Sequence, residues 1–184
     1  MYLFTLHLNN NYDTIIAVTK LIFMEVMMDI LIRFAEKEEL EKVNMLRKQV
    51  NDLHVNGRPD IFREGFCTQM QDHIYTMYES ENSNIIVAVS GDDILGFATV
   101  EYILKPLSPY SLERKIYQIC EFGVDKKHHR KGIATKLVEF IKQDAASKGY
   151  SRIELDVWEF NETAIEFYNA IGFKPYRRYM ELPI

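Results

Sequence analysis

The stretch of sequence that decides the fold covers residues 123–134 and reads GVDKKHHRKGIA. The apolar run that ends at Val124 is typical of a strand, and the apolar periodicity after Gly132 is typical of a helix. Basic residues dominate the short loop between them, namely Lys126, Lys127, Arg130 and Lys131. A helix start favours an anion through its free N–H groups and its dipole, and the small Gly132 and Ala134 allow close approach. The stretch therefore predicts a phosphate-binding loop.

A second pattern lies further along the chain, at residues 161–173, which read NETAIEFYNAIGF. Helix-forming and aromatic residues run from Glu162 to Ala170, and Gly172 follows where a helix would end. The loop at 123–134 lacks the spacing of a P-loop and of a three-glycine dinucleotide fingerprint. Taken alone, that loop is equally consistent with a solvated basic cap on a helix, so its interpretation depends on the second pattern.

Together the two patterns resemble those of the GNAT N-acetyltransferase superfamily. Its members carry Arg/Gln-x-x-Gly-x-Gly/Ala on a pyrophosphate loop and Asn-x-x-Ala-x-x-Phe/Leu-Tyr-x-x-x-Gly-Phe downstream. The second motif matches at six positions, Asn161, Ala164, Phe167, Tyr168, Gly172 and Phe173. The first matches at Gly132 and Ala134 but has His129 in place of the Arg or Gln, and Arg130 next to it offers a charge. The resemblance is strong over residues 115–182 and looser before them.

The resemblance implies an α/β fold of GNAT type, with a mixed, mostly antiparallel central sheet flanked by helices on both faces. Hydrophobic periodicity and turn residues independently indicate alternating strands and helices. The predicted strands cover residues 30–34, 85–90, 94–104, 115–124, 152–157 and 172–181. The predicted helices cover residues 35–53, 62–78, 132–148 and 162–170. No repeat or linker interrupts residues 28–184, which we expect to form a single acetyltransferase domain.

Residues 1–27 are interpreted separately, as an N-terminal extension. Their apolar run lacks the pattern of a signal peptide and is too short for a membrane span. The sequence Met-Glu-Val-Met-Met at residues 24–28 back-translates to a ribosome-binding site followed by a start codon. One hypothesis is therefore a misassigned start in a bacterial protein that begins at Met27 or Met28. The other is a genuine N-terminal helix that packs on the domain or on a partner.

The overall composition limits the classes of partner. The 184 residues carry a formal net charge of -5, which argues against nucleic acid as the main partner. The two cysteines, Cys67 and Cys120, lack the spacing of a disulfide framework or a zinc site and fit a reducing cytoplasm. We therefore expect a cytoplasmic protein without a metal and without a membrane partner, and a homodimer stays open.

The resemblance also implies acetyl-CoA as cosubstrate and assigns the residues that hold it. Backbone amides along the loop would bind the pyrophosphate, at His129, Arg130, Lys131, Gly132, Ile133 and Ala134. The strand formed by Phe122, Gly123 and Val124 would lie beside the pantetheine arm, with a backbone N–H near Val124 as an oxyanion donor. Asn161 would contact the cofactor arm.

The candidate catalytic residues are Tyr168, which the resemblance implies, and Glu121, which lies three residues before Val124 on the strand that ends at the loop. Tyr168 would protonate the departing CoA thiolate, a role that suits a phenol because it keeps its proton at neutral pH. The alternative for Tyr168 is a core aromatic residue. Glu121 would take a proton from the acceptor amine, or would instead bind the cationic amine or carry a charge at the sheet edge. Strand alternation predicts that Cys120 lies on the opposite face and only packs, which favours direct transfer in a ternary complex.

The predicted function is the transfer of an acetyl group from acetyl-CoA to a primary amine of a small molecule or peptide. The alternative is a non-catalytic acyl-CoA-binding sensor with the same fold. Residues 54–60 either line the acceptor site or form a plain helix-ending turn. The sequence does not identify the acceptor.

Overall fold

The computed structural model describes residues 15–16 and 30–184, where the chain forms five strands and four α-helices. The strands are β1 (Leu31–Phe34), β2 (Ser83–Ser90), β3 (Asp93–Lys105), β4 (Arg114–Val124) and β5 (Ile153–Leu155). The helices are α1 (Leu40–Gly57), α2 (Thr68–Glu79), α3 (Ile133–Ser147) and α4 (Glu162–Ala170). The hypotheses on the N-terminal extension fall almost entirely outside the described residues and stay predictions.

The five strands form one mixed sheet in the order β1-β2-β3-β4-β5. The first four strands pair antiparallel, and β5 joins β4 in parallel. This arrangement confirms the predicted mixed, mostly antiparallel sheet. The inner strand β2 is apolar along most of its length because helices cover both of its faces.

The sheet separates two apolar cores. On one face, Leu40, Val43 and Leu46 of α1 pack with α2 against the sheet, as their three- and four-residue spacing predicts. On the other face, residues spaced four apart along α3 reach the sheet, namely Ile133, Leu137 and Ile141. Most of these side chains are fully buried, and each contributes roughly 2 kcal/mol of transfer free energy. Helices on both faces of the sheet confirm the predicted layering.

Three sequence predictions of the elements were inaccurate. α1 begins at Leu40 rather than residue 35, because Lys37–Glu39 form a 3-10 turn closed by a capping box. α1 then continues beyond the predicted end to Gly57, and α2 begins at Thr68 rather than residue 62. Leu53 lies off the apolar stripe and is 41% exposed.

The predicted last strand over residues 172–181 does not form. Pro175 lacks an N–H for a ladder, and the apolar residues that follow are exposed, namely Tyr176, Tyr179 and Met180. The segment is instead attached by side chains. The Tyr176 hydroxyl donates to Glu154 at 2.7 Å, and Arg58 pairs with Glu181 at 3.0 Å.

A β-bulge at Cys120 changes the direction of the side chains in β4. The register passes from Ile119 opposite Val100 to Glu121 opposite Thr99, so Cys120 is the extra residue. Ile119 and Phe122 therefore both pack on the α3 side, whereas Glu121 contacts α1. The prediction that Cys120 lies opposite Glu121 and packs in the core is wrong, because the bulge breaks the alternation and leaves Cys120 exposed.

Candidate active site

An opening lies between β4 and the chain that follows β5. β5 pairs with Tyr117–Ile119 of β4 and ends at Leu155, whereas β4 continues to Val124. Within residues 30–184 no strand pairs with that side of β4 beyond Ile119. Apart from the Val124 carbonyl, which accepts from His129, the outward-facing backbone groups along this part of the strand edge are thus available to an extended ligand.

The loop at the end of β4 leads directly to an exposed helix start. Gly132 is the N-cap of α3 and adopts a left-handed conformation with φ 76°, which glycine tolerates best. In the described part of the chain no side chain caps this helix, and its first backbone bond runs from the Lys136 N–H to the Gly132 carbonyl. The first-turn amides therefore face outward, as an anion site requires.

The conformation of the loop is fixed by its own polar groups. The Asp125 carboxylate accepts from the Lys127 N–H at 3.0 Å, and the Gln49 side chain on α1 accepts from the Lys126 N–H at 3.3 Å. Arg130 has a φ of 60°, an uncommon value for a residue other than glycine. The loop thus combines basic side chains with a strained backbone, an association frequent at ligand sites.

His129 occupies the position where related sequences have Arg or Gln. Its Nε2 lies 2.9 Å from the Val124 carbonyl oxygen, and since a carbonyl can only accept, Nε2 carries the hydrogen. The imidazole thus joins the loop to the end of β4. The His129 side chain is occupied by this hydrogen bond, whereas the side chain of its neighbour Arg130 does not take part in it.

Asn161 and Gly172 define the two ends of α4. The Asn161 side-chain oxygen accepts from the Ala164 N–H at 3.2 Å, which caps the helix and leaves the amide NH₂ group for other partners. Gly172 has a φ of 99°, and the following Phe173 N–H donates to the Tyr168 carbonyl at 2.9 Å. The spacing of the second sequence pattern is thus the spacing of a capped, glycine-terminated helix.

Tyr168 lies among aromatic rings beside the end of β4. Its ring centroid is 6.2 Å from that of Phe122, 5.4 Å from Phe167 and 5.6 Å from Phe173. Burial raises the pKa of Tyr168 to about 12. Among the described residues its hydroxyl has no hydrogen-bond partner, so it remains a neutral donor available to a ligand.

Glu121 is held by Arg47, a residue that the sequence analysis missed. The Arg47 Nε lies 2.6 Å from one carboxylate oxygen, and Nη2 lies 2.8 Å from the other. Arg47 falls on the apolar stripe of α1, four residues after Val43 and three before Val50, so its burial could have been predicted. Charged residues at such positions are rarely buried unless they are paired.

Residues 54–60 contact a cluster of aromatic rings. His54 stacks on Phe62 with centroids 5.0 Å apart, and Trp158 meets the Phe62 ring edge at 5.2 Å. Phe160 lies so close to Gly57 that any added Cβ would overlap its ring. Burial lowers the pKa of His54, while the nearby negative charge of Glu121 opposes this shift. The end of α1 and the chain after β5 therefore form one wall beside Glu121.

Three carboxylates lie near the thiol of Cys120. The protein atoms around its thiol, together with the charges of Glu101, Glu121 and Asp156, raise the pKa of Cys120 to about 12. A thiol in this environment is protonated and weakly nucleophilic at neutral pH. In the part of the chain described, no three His, Cys, Asp or Glu residues are grouped so as to hold a metal ion.

The comparisons with known proteins assign the chain to a family. A family model described as Acetyltransferase (GNAT) family matches residues 55–173, so the chain belongs to that family. Human N-acetyltransferase 8 is 32% identical over 108 residues, covering 59% of this chain and 46% of that protein. The mouse probable N-acetyltransferase family 8 member 5 is 33% identical over 130 residues, covering 70% and 55%. The chain thus spans about half the length of these curated relatives.

Solved structures share the fold of this chain. A tetramutant of the BH1408 protein from Bacillus halodurans superposes with a TM-score of 0.80 at 31% identity, covering 84% of this chain and 99% of that chain. Aminoglycoside N-acetyltransferase AAC(6')-Iy, solved in complex with CoA, superposes with a TM-score of 0.66 at 16% identity, covering 84% and 94%. The second likeness shows a shared fold. No helix in the described part of this chain has the length and apolarity to cross a membrane.

Proposed function

We propose that the protein transfers an acetyl group from acetyl-CoA to a primary amine by direct attack in a ternary complex. The observation that carries this proposal is the continuity of three features: an uncapped helix start at Gly132, an unpaired edge of β4, and the Tyr168 hydroxyl beside that edge. Membership of the GNAT family and the CoA complex of AAC(6')-Iy support it.

The cofactor half of the proposal rests on backbone groups. The amides from His129 to Ala134 would bind the pyrophosphate, and the side chains of Arg130 and Lys131 would add positive charge. The strand edge at Phe122–Val124 would align the pantetheine arm, and an N–H near Val124 would donate to the developing oxyanion. Asn161 would reach the arm through its free amide NH₂. Acetyl-CoA itself supplies the activated thioester.

In the catalytic half of the proposal, Tyr168 and Glu121 carry out the proton transfers. The amine nitrogen forms a bond to the acetyl carbon as the bond from that carbon to sulfur breaks. Tyr168 donates its hydroxyl proton to the leaving thiolate, and the second proton that the nitrogen loses on becoming an amide returns to Tyr168 through solvent. Glu121 accepts a proton from the ammonium, directly or through a water molecule, with the lone pairs that Arg47 leaves unused. The protonated thiol of Cys120 favours this direct route over a covalent one.

The acceptor would be a cationic small molecule or peptide amine. Three carboxylates lie near the Cys120 thiol, Glu101, Glu121 and Asp156, and they would attract an ammonium group. The aromatic wall of His54, Trp158 and Phe160 would pack against the apolar part of the same molecule. The cytoplasmic location, the bacterial origin, the lack of nucleic-acid and membrane partners, and a homodimer stay predictions.

A second candidate function is a non-catalytic acyl-CoA sensor. It is favoured by one observation, the engagement of both Glu121 oxygens by Arg47, which reduces the freedom of that carboxylate to act as a base. A sensor would bind acetyl-CoA at the same loop without releasing CoA to any amine.

One experiment separates the two functions. Acetyl-CoA binding is measured by calorimetry, and thiol release is measured with a panel containing a polyamine, an aminoglycoside and a peptide N-terminus. Amine-dependent release from at least one acceptor is the expected result. Binding without release across the panel would contradict the transferase and favour the sensor. The absence of any binding would contradict both functions.

A further inference from the structure

The most extensively bonded charged side chain in the site region is Arg47. It is buried, with 4% of its side chain exposed, whereas the side chain of Glu121 is 31% exposed. Nε and Nη2 bind the Glu121 carboxylate, and Nη1 donates to the Asn44 side chain at 2.9 Å and to the Met70 carbonyl at 2.7 Å. These bonds use four of the five guanidinium N–H groups.

The neighbours of Arg47 come from distant parts of the chain. Arg47 and Asn44 belong to α1, Met70 to the first turn of α2, and Glu121 to the bulge of β4. The guanidinium carbon also lies 5.5 Å from the centroid of the Phe66 ring. Because several elements fix the planar group, the direction of its two bonds to Glu121 is fixed as well.

We propose that Arg47 is the positioning residue for Glu121, and that it holds the carboxylate at the opening where the acceptor amine must arrive. The proposal rests on the acetyl transfer described above. Arg47 is enclosed by protein and does not reach the reacting atoms itself. Its effect passes through the carboxylate, which is partly exposed and lies near the Cys120 thiol.

A role in stability alone accounts poorly for this arrangement. Buried ion pairs gain little net stability over apolar packing, because desolvation of the two charges offsets their attraction. The β-bulge also orients Glu121, because the register shift turns its side chain toward α1. The Glu121 N–H is also tied, donating to the Thr99 hydroxyl at 3.0 Å. Both ends of the glutamate are therefore held.

The test compares Arg47→Lys with a matched control, Arg33→Lys. Arg33 forms the same two-bond pair with Glu39, at 2.8 and 2.7 Å, but at the 3-10 turn after β1. Lysine keeps the charge in both variants and loses the planar two-bond geometry. The kcat and the KM values for acetyl-CoA and for the best panel amine are measured for each variant and for Glu121→Gln, with melting temperatures alongside.

The expected result is a fall in kcat of at least about tenfold for Arg47→Lys, with an unchanged KM for acetyl-CoA, since misplaced catalytic groups lose rate rather than cofactor binding. Arg33→Lys keeps the wild-type kcat. In the Glu121→Gln background, Arg47→Lys causes no further loss, because its effect passes through the carboxylate. If Arg47→Lys does not fold, Phe66→Leu, which removes the ring and leaves the ion pair, is expected to lower kcat about threefold.

The inference can fail in two ways, and the results distinguish a failure of the positioning role from a failure of the acetyl transfer. If Arg47→Lys or Phe66→Leu turns over as fast as Arg33→Lys, or if the loss adds fully to that of Glu121→Gln, Arg47 does not position the carboxylate and the acetyl transfer still stands. If the wild type binds acetyl-CoA but no amine accepts acetyl, the transfer itself is wrong and the inference falls with it.

Discussion

The two halves of the site are built from different chemical groups. The proposed cofactor half consists, apart from Asn161, of consecutive residues from the end of β4 through the loop to the start of α3, and it offers mainly backbone N–H groups. The acceptor half brings together side chains from α1, the bulge of β4 and the chain after β5, including Arg47, Glu121 and Trp158. A backbone site is specified by local conformation, whereas a side-chain site depends on tertiary packing.

This difference predicts how the halves respond to substitution. In the cofactor half, a change should act through φ and the direction of amides, and should alter acetyl-CoA affinity. In the acceptor half, a change should act through packing and charge, and should alter kcat or the KM for the amine. Tyr168 lies between them, and its removal should affect the chemical step alone.

The largest expected effect is that of Tyr168→Phe, which tests the link between the two halves. Loss of the proton donor should lower kcat by about 100-fold while acetyl-CoA affinity stays unchanged. Because burial raises the pKa of Tyr168 to about 12, the hydroxyl should stay protonated and the wild-type rate should not fall through its ionisation below about pH 10. Steady-state kinetics across this pH range provides the check, and a variant with wild-type kcat would remove Tyr168 from the mechanism.

The next largest effect is expected in the cofactor half, where Gly132→Ala is compared with the control variant Gly149→Ala. Both glycines flank α3 with nearly equal φ values, 76° and 75°, so both substitutions should cost about 1 kcal/mol of stability. Gly132→Ala should also reduce acetyl-CoA affinity about tenfold, because strain at the N-cap redirects the first-turn amides. Calorimetry measures the affinities, and chemical unfolding measures the shared stability cost. Equal affinities in the two variants would mean that the helix start does not bind the cofactor.

A smaller effect is expected in the acceptor half from Gly57→Ala, with Asn56→Ala as the neighbouring helical control. The added Cβ would lie 2.3 Å from the Phe160 ring and must displace it. We expect the KM for the amine to rise about fivefold, equivalent to about 1 kcal/mol, with acetyl-CoA affinity unchanged. Asn56, which is exposed, should tolerate the change. A shift in acetyl-CoA affinity instead would place this wall in the cofactor half.

The smallest effect concerns the pH dependence of stability at His54. Burial lowers its pKa in the folded state, so the unfolded chain binds the proton more readily. The free energy of unfolding should therefore decrease as the pH falls from about 7 toward 5. His54→Phe, which keeps the stack on Phe62, should lose less stability over that range in urea unfolding. An identical pH slope in both proteins would show that His54 is not the group responsible.

The sequence predicted the local conformation of the proposed cofactor half well because its determinants are local. The N-cap glycine, the glycine after α3 and the capped helix at Asn161 all depend on neighbours a few residues away. The outline of the sheet followed from apolar runs and turns. The failure over residues 172–181 was non-local, since whether they form a strand depends on a pairing partner, which periodicity does not reveal.

The acceptor half was only partly predictable for the same reason. Glu121 was found through its distance from the loop, but the bulge that orients it depends on the register with β3. Alternation therefore gave the wrong face for Cys120. Arg47 lies 74 residues before Glu121, and nothing in the local sequence joins the two. Its position on an apolar stripe was the single available signal.

The most direct test of the whole account is a crystal structure of the protein with bound CoA. We expect the pyrophosphate within about 3 Å of the amides between Lys131 and Ala134. The pantetheine arm should follow the unpaired edge at Phe122–Val124, with its sulfur next to the Tyr168 hydroxyl. A CoA molecule whose pyrophosphate lies away from the start of α3, or whose sulfur lies away from Tyr168, would contradict it.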